Sequence, residues 1–386
     1  MRTIAIVTVA RSDYGIWRPI LSRIKTASGL KLFLIASGTH LSSRFGKTER
    51  EIREDGFRVD ARVPTLAEDS PRGIAHSMSK AIRGFAAVFA KRKPDLLMLV
   101  GDRFEMHAAA LAALPFNIPV AHVHGGELTL GAFDDALRHS LTKLSHLHFV
   151  STREYARRVR QLGEDPPRII VCGAPALDNL RLIKLLSPQE LSQNFKLNLN
   201  SDKPLLVTFH PVTLEPGQAR RQMSELLQAL KASGKPVIFT MPNADTGNKA
   251  IRSLVKNFVR ANPRAQAVEN LGAQGYFSLM KHAVAMVGNS SSGIIEAPSF
   301  GLPAVNVGSR QGGRLRAKNV IDVQPRKAAI LGAIKRAASP AFRARLKGLR
   351  NPYGSGKAAD IIVNQIRRVD LKGLTLKHFT DLRKNG

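Results

Sequence analysis

The chain is nearly devoid of cysteine. Cys172 is the only one in 386 residues, so no intrachain disulfide can form and a zinc site built on four thiolates is excluded. That usage fits a reducing, cytoplasmic setting. Aromatic residues are scarce, at 6% with a single tryptophan, which leaves little with which to stack nucleic-acid bases. No stretch approaches the roughly 18 uninterrupted apolar residues of a membrane span. The opening MRTIAIVTVARSD has a short apolar run ended by Arg11 and Asp13, and reads as a first β-strand, not as a signal peptide. There is no GxGxxG, no Walker loop and no metalloprotease-like helix spacing. Acidic residues are also short, 29 against 59 Lys and Arg, for a formal charge of +30. From Arg310 to Gly386 there are 19 basic residues and 4 acidic ones. The excess is interspersed with apolar positions and not blocked into tails, which fits solvated helix faces. Attraction to anionic small molecules, weak attraction to nucleic acid or membrane surfaces, and lineage composition are the other readings.

What is present is α/β in pattern. At 42.1 kDa and 44% hydrophobic content the chain exceeds one ordinary core, and two domains are expected. TIAIVTV from Thr3, KLFLIAS from Lys31, DLLMLVG from Asp95, PVAHVH from Pro119, LHFVS from Leu147 and RIIVCG from Arg168 read as strands. Helical segments such as Gly73 to Arg92 and Phe104 to Leu114 lie between most of them. This is the βαβ rhythm of a buried parallel sheet covered by helices. A polar connector from Ser187 to Pro204 interrupts it. The rhythm restarts with PLLVTFH from Pro204, PVIFTM from Pro236, VAMVG from Val284 and PAVNVG from Pro303. The prediction is two doubly wound domains, 1–185 and 186–364, with a final segment, 365–386, packing back on the first.

Ligands of such sheets sit beyond the carboxyl ends of the strands, so the residues just past each strand carry the functional reading. After the first strand, Arg11 is a fixed cation, and Ser12 or Asp13 can cap the next helix. A phosphate or sugar clamp and a plain capped helix start are both open there. After the third, Asp102 and Arg103 follow the strand-breaking Gly101. Asp102 fits an N-cap with Arg103 beside it, and it also fits acid–base chemistry. The densest stretch, HVHGGELTLGAFDDALRHSLTKLSHLHF from His122, gathers His122, His124, Glu127, Asp134, Asp135 and Arg138, with Gly125 and Gly126 permitting close approach or positive φ. With a helix starting near Asp134, Asp134/Arg138 and Asp135/His139 are i,i+4 pairs. Capping and surface pairing account for Asp135 and Arg138 but not for the rest. In the second half, His210 directly follows a strand, and FTMPNADTGNKA brings Asn243 into a turn ahead of a helix. Finally, VGNSSSGIIEAPSF ends a strand at Gly288 and puts Ser290, Ser291 and Ser292 where a helix begins. Unpaired N–H groups of a first helical turn, hydroxyl donors and glycine make an anion site, with Glu296 one turn on positioned for a ribose hydroxyl.

In order along the chain, VARSDYG, GDRFE, GGELTLGAFDDALRHSLTKLSH, HPVTLE, PNADTGNKAI, GNSSSGIIEAPSFGLPAVNVGSRQGGR and NPYGSGKAADIIV resemble the hydrolysing UDP-N-acetylglucosamine 2-epimerases. The resemblance covers nearly the whole chain. It implies the GT-B architecture, two Rossmann-like domains facing a cleft. It implies elimination of UDP from a UDP-linked N-acetyl sugar to a glycal, then addition of water to give the free C2 epimer. From UDP-N-acetylglucosamine that product is N-acetylmannosamine, a sialic-acid precursor; relatives use UDP- or GDP-linked diacetylbacillosamine on the way to legionaminic acid. No redox cofactor or metal is implied, and a homodimer or homotetramer is. By the same resemblance, Ser290 and Ser291 hold the diphosphate in the turn that Gly288 and Ser292 complete, and Glu296 holds the ribose. Arg11, Arg310 and Asn243 lie on the nucleotide side. Asp102 and Asp134 transfer protons at the sugar, and Arg103 and His210 are cleft residues, His210 near the leaving diphosphate. One position departs from the pattern. Many members read His-x-Glu-Gly-Gly, with that Glu in acid–base work, whereas HVHGGE places His124 there. A neutral imidazole still moves protons, and Glu127, beyond both glycines, supplies a carboxylate only through a shift of register.

Two other classes stay in view. A GT-B glycosyltransferase shares the nucleotide half and makes nucleotide release depend on an acceptor; the Asp102, His124 and Asp134 group speaks against it. A non-enzymatic basic protein requires strongly salt-dependent nucleic-acid binding, and the scarcity of aromatics speaks against that.

Overall fold

A computed structural model of the chain describes residues 1–43, 46–66, 70–130, 133–199, 202–212, 214–215, 217–241, 248–269 and 271–381. The chain divides into two compact units, Met1–Glu127 with Asp134–Asn179 and Tyr353–Gly386, and Leu128–Phe133 with Leu180–Pro352. These changeovers come earlier than the expected 185/186 and 364/365, for local reasons. Asn179 Nδ2 donates to the Gly15 carbonyl at 2.7 Å, within the first unit. Leu180, Ile183 and Leu185 already pack on an apolar cluster of the second. On the return, the Tyr353 carbonyl accepts from Ala174 N–H at 2.8 Å, and its hydroxyl meets that of Tyr155 at 2.8 Å.

The first sheet has seven strands: β1 (Arg2–Thr8), β2 (Leu30–Ser37), β3 (Ala61–Val63), β4 (Leu96–Val100), β5 (Val120–Val123), β6 (Leu147–Val150) and β7 (Ile169–Val171). They lie parallel in the order β3-β2-β1-β4-β5-β6-β7. Parallel neighbours need crossovers, which the helices Arg11–Thr26, Pro71–Lys91, Phe104–Ala113 and Asp134–Leu144 help to supply. Ile4, Ala5, Ile6 and Val7 of β1 are all fully buried, as a sheet covered on both faces demands.

The second sheet has six parallel strands: β8 (Leu205–Thr208), β9 (Val237–Thr240), β10 (Ala265–Val268), β11 (Ala285–Gly288), β12 (Ala304–Val307) and β13 (Val320–Val323). Their order is β10-β9-β8-β11-β12-β13. The strands sort their residues by the period of two. Leu205, Val207, Val237, Phe239, Ala285 and Val287 join one apolar cluster, while Leu206, Ile238 and Met286 join another.

Each sheet reverses its order once, between β1 and β4 and between β8 and β11. At such a switch the connections leave toward opposite faces and open a crevice beyond the strand ends. Arg11 and Asp102 follow β1 and β4, and His210 and Ser290 follow β8 and β11. Topology therefore puts these four residues at the two switch points.

Beyond Tyr353 the chain rejoins the first unit. The Asp178 carboxylate accepts from the N–H groups of Ala358 and Ala359 at 3.0 and 2.7 Å, satisfying the start of helix Ala358–Arg368. Further on, Lys377 Nζ donates to the carbonyls of Lys143 and Ser145 at 2.6 and 2.7 Å and stands 2.7 Å from Glu164. The buried Glu164 carboxylate also takes Lys143 Nζ at 2.7 Å and His148 Nε2 at 2.8 Å. Burial alone would raise this carboxyl, but His148, Lys143 and Lys377 together bring it down to about 2. No helix of the described residues is long and apolar enough to cross a membrane.

Candidate active site

In the first unit, β4 and β5 deliver the titratable residues. The N-cap of helix Phe104–Ala113 is Arg103, which lies 3.8 Å from the buried Glu105. Asp102 is not the cap: its carboxylate forms an ion pair with Arg138, which corrects that part of the reading. Arg138 sits one turn into helix Asp134–Leu144, whose first residue is Asp134 as expected. It is a buried residue, not a surface one, and its Nη1 is 3.8 Å from Glu127 Oε2. One cation thus stands between the Asp102 and Glu127 carboxylates. Asp135 and His139 do form the expected pair, at 3.5 Å.

His124, just past β5, has φ of 67°. Side chains other than glycine rarely adopt this left-handed region, at a cost of about 1 kcal/mol or more. The surroundings hold it there. Its N–H donates to the Phe149 carbonyl at 3.0 Å. Gly126, with φ of 75°, lies so close to helix Arg153–Gln161 that a Cβ would come within 2.5 Å of the Tyr155 carbonyl oxygen. The turn brings Glu127 back to the imidazole, with His124 Nδ1 2.6 Å from Glu127 Oε1. Ser151 Oγ donates to the same oxygen at 2.9 Å. Both side chains are buried, and His124 Nε2 has no hydrogen-bond partner among the described residues.

His122 has a different part. Its Nε2 lies 2.8 Å from the Gly101 carbonyl and its Nδ1 3.2 Å from Thr142, and burial pushes its imidazole down to about 3. It is a neutral core residue tying β5 to the end of β4. Arg11 opens helix Arg11–Thr26, where Asp13, not Ser12, serves the cap by accepting from the N–H groups of Ala10 and Val9 at 2.7 and 2.9 Å. The Arg11 guanidinium lies 3.8 Å from Glu51.

In the second unit, Gly288 at the end of β11 stands opposite Thr208 of β8. Its φ is 137°, and a Cβ there would sit 1.9 Å from the Thr208 carbonyl oxygen. Only glycine lets these two strand ends approach so closely. Asn289, fully buried, then clasps the loop after β8: Oδ1 accepts from His210 N–H at 2.7 Å, and Nδ2 donates to the His210 carbonyl at 2.8 Å. The Asn289 carbonyl accepts from Gln311 Nε2 at 2.9 Å and from Arg310 Nη1 at 3.3 Å. His210, Arg310 and Gln311, remote in sequence, thereby meet at Asn289, the residue before Ser290.

The helix after the serines is shorter than expected. It is the single turn Ser292–Ile295, followed by Glu296 and the 3-10 turn Ala297–Phe300. So short a helix has little macrodipole, and anion binding would rest on individual donors. The N–H groups of Ser290 and Ser291 have no hydrogen-bond partner among the described residues. Tyr276 lies near Ser292, Thr208, Ser290 and Glu296, and burial raises its phenol.

Sequence reasoning missed three residues of these groups. For Arg138 the spacing offers a surface pair with Asp134, one turn back, and does not point to the buried contact with Asp102. Asn289 had a signal, an amide side chain between a strand-ending glycine and the serines. Tyr276 had none, since it arrives on helix Gly272–His282, remote from the turn it touches. Asn243 lies outside the described residues.

Two parallel, doubly wound, Rossmann-like units define a GT-B-like α/β protein. Residues 22–367 match the family described as UDP-N-acetylglucosamine 2-epimerase. The chain is 41% identical over 325 residues to the GDP/UDP-N,N'-diacetylbacillosamine 2-epimerase (hydrolyzing) of Campylobacter jejuni, covering 83% of this chain and 84% of that one. It is 36% identical over 373 residues to the UDP-N,N'-diacetylbacillosamine 2-epimerase (hydrolyzing) of Legionella pneumophila, covering 96% and 97%. Among solved structures, the UDP-GlcNAc 2-epimerase from Neisseria meningitidis, bound to UDP-GlcNAc, gives a TM-score of 0.83 at 19% identity, over 95% of this chain and 100% of that one. The chain belongs to the UDP-N-acetylglucosamine 2-epimerase family.

Proposed function

We propose that the protein is a hydrolysing nucleotide-sugar 2-epimerase. It takes a UDP- or GDP-linked N-acetyl sugar and water to the nucleoside diphosphate and the free C2 epimer. The names of the relatives at 41% and 36% identity support a diacetylated sugar, N,N'-diacetylbacillosamine, ahead of N-acetylglucosamine. The observation that carries the reading is the run of ionisable side chains Asp102, Arg138, Glu127 and His124. A hydrolysing epimerase must take a proton from carbon and return one, which needs positioned acid–base groups.

The roles follow from chemistry. As the C2–H bond breaks, its electron pair forms the C1=C2 double bond, the C1–O bond opens and the diphosphate leaves. Water then adds its oxygen to C1, and a proton returns to C2 from the opposite face. His124, Asp102 and Asp134 handle these protons, and Arg103 steadies the site. Ser290, Ser291 and Ser292, His210, Arg310 and Arg11 take up the charge that develops on the diphosphate side. Glu296 takes the ribose. The enzyme works as a soluble homo-oligomer in the cytoplasm.

The test is a panel of UDP-N-acetylglucosamine, UDP-diacetylbacillosamine and GDP-diacetylbacillosamine, followed by nucleoside diphosphate release and by NMR of the sugar in deuterated water. The expected result is release without an acceptor, deuterium at C2 and inverted C2. Release only when an acceptor sugar is added would replace the reading with a glycosyltransferase.

A further inference from the structure

We propose that Glu127 is the positioning residue for proton transfer at His124: its carboxylate holds Nδ1 and leaves Nε2 as the atom that exchanges the substrate's proton. This rests on the epimerase reading and deepens it.

The geometry has three parts. A carboxylate only accepts hydrogen bonds, so the contact of 2.6 Å puts the imidazole proton on Nδ1. The opposite nitrogen, Nε2, is then a lone pair, buried and unpartnered among the described residues. Buried polar atoms seldom go unpaired, and one that does marks a place where a partner arrives. Glu127 is itself fixed, with Ser151 Oγ on the same oxygen at 2.9 Å and Arg138 3.8 Å from the other. Finally, His124 is held in left-handed backbone, φ 67°. Strain of this sort is kept where the surroundings enforce a particular side-chain direction. A two-residue device thus does the work of a single carboxylate.

The step balances. In the elimination direction Nε2 takes the proton from C2, whose electron pair becomes the C1=C2 bond while the diphosphate departs. The imidazolium so formed is stabilised by the Glu127 carboxylate. It gives that proton up to solvent, because the proton that returns to C2 arrives from the opposite face. The charged and titratable groups facing this pair are Arg138, its partner Asp102, and His122, which remains neutral.

The experiment uses the full chain and whichever nucleotide sugar of the panel the wild type turns over. Glu127→Gln keeps an acceptor for Nδ1 but removes the charge. Its kcat should fall about 10²-fold with KM little changed, and the acid limb of its pH–rate profile should move to lower pH. His124→Gln should fall at least as far, and the double variant no further than His124→Gln. UDP binding by each variant reports that it is folded. Nitrogen-15 NMR of the wild type, which needs no variant, should show the His124 proton on Nδ1 at neutral pH. Losses that multiply in the double variant, an unmoved acid limb in Glu127→Gln, or a proton on Nε2 in the wild type would each overturn the inference while leaving the epimerase reading intact. A wild type inert toward the whole panel would instead overturn the reading itself.

Discussion

The two groups of candidate residues are built from opposite materials. The first unit offers ionisable side chains held by one another: His124 on Glu127, and Glu127 and Asp102 on Arg138. The second offers neutral donors held by backbone: the Ser290 and Ser291 turn, the Asn289 clasp on His210, and the Gly288 approach to Thr208. Groups of the first kind exchange protons and respond to pH. The serine hydroxyls and backbone N–H groups of the second kind keep one charge state and are suited to receiving an anion. On the function proposed above, proton transfer falls to one unit and the leaving diphosphate to the other, and each assignment can be broken separately.

The sharpest break is Asp102→Asn. Turnover should fall about 10³-fold or more, while UDP affinity measured by calorimetry stays within about twofold. A variant that loses UDP binding along with turnover would erase the division. Next is Gly288→Ala, where a methyl 1.9 Å from the Thr208 carbonyl oxygen should cost about 3–5 kcal/mol of stability, seen in a denaturant titration. A variant as stable as the wild type would show that β8 and β11 do not need this approach. Ser290→Ala with Ser291→Ala should weaken UDP binding about 100-fold or more, since hydrogen bonds to charged groups contribute about 1.5–3 kcal/mol each. Unchanged affinity would remove the serine turn from the anion site. The smallest effect concerns acid. Glu164 is held at about 2 against an ordinary 4.5, so its stabilisation is complete above pH 4.5 and is lost as pH falls toward 2. Glu164→Gln should flatten the stability decline across that window, as read by thermal melts at stepped pH.

How much of this was legible depends on where the information lies. Central strands such as Ile4–Val7 are covered on both faces and announce themselves as apolar runs. The edge strands β3, β10 and β13 were missed, because an edge strand is partly solvated and carries residues such as Gln266 and Asp322. Positions past the strands were legible because a parallel sheet delivers every carboxyl end to one side. Partners were not. Asp102 and Arg138 lie 36 residues apart, and nothing in spacing joins them. His124 and Glu127 are near neighbours, but their contact depends on a left-handed backbone that a histidine does not advertise. The serine turn was read correctly as a strand-to-helix turn, yet its helix proved a single turn because Pro298 and Gly301 redirect the chain.

The Asp178 carboxylate, which waits for the N–H groups of Ala358 and Ala359, has a consequence for synthesis. A ribosome delivers the whole stretch Leu180–Pro352 before the helix that Asp178 receives exists. The Leu180–Pro352 body can therefore assemble first, and the first unit completes its Asp178 contacts only once Ala358 and Ala359 have been made. Chaperone dependence and sensitivity to premature termination should accordingly concentrate in the half that was made earliest.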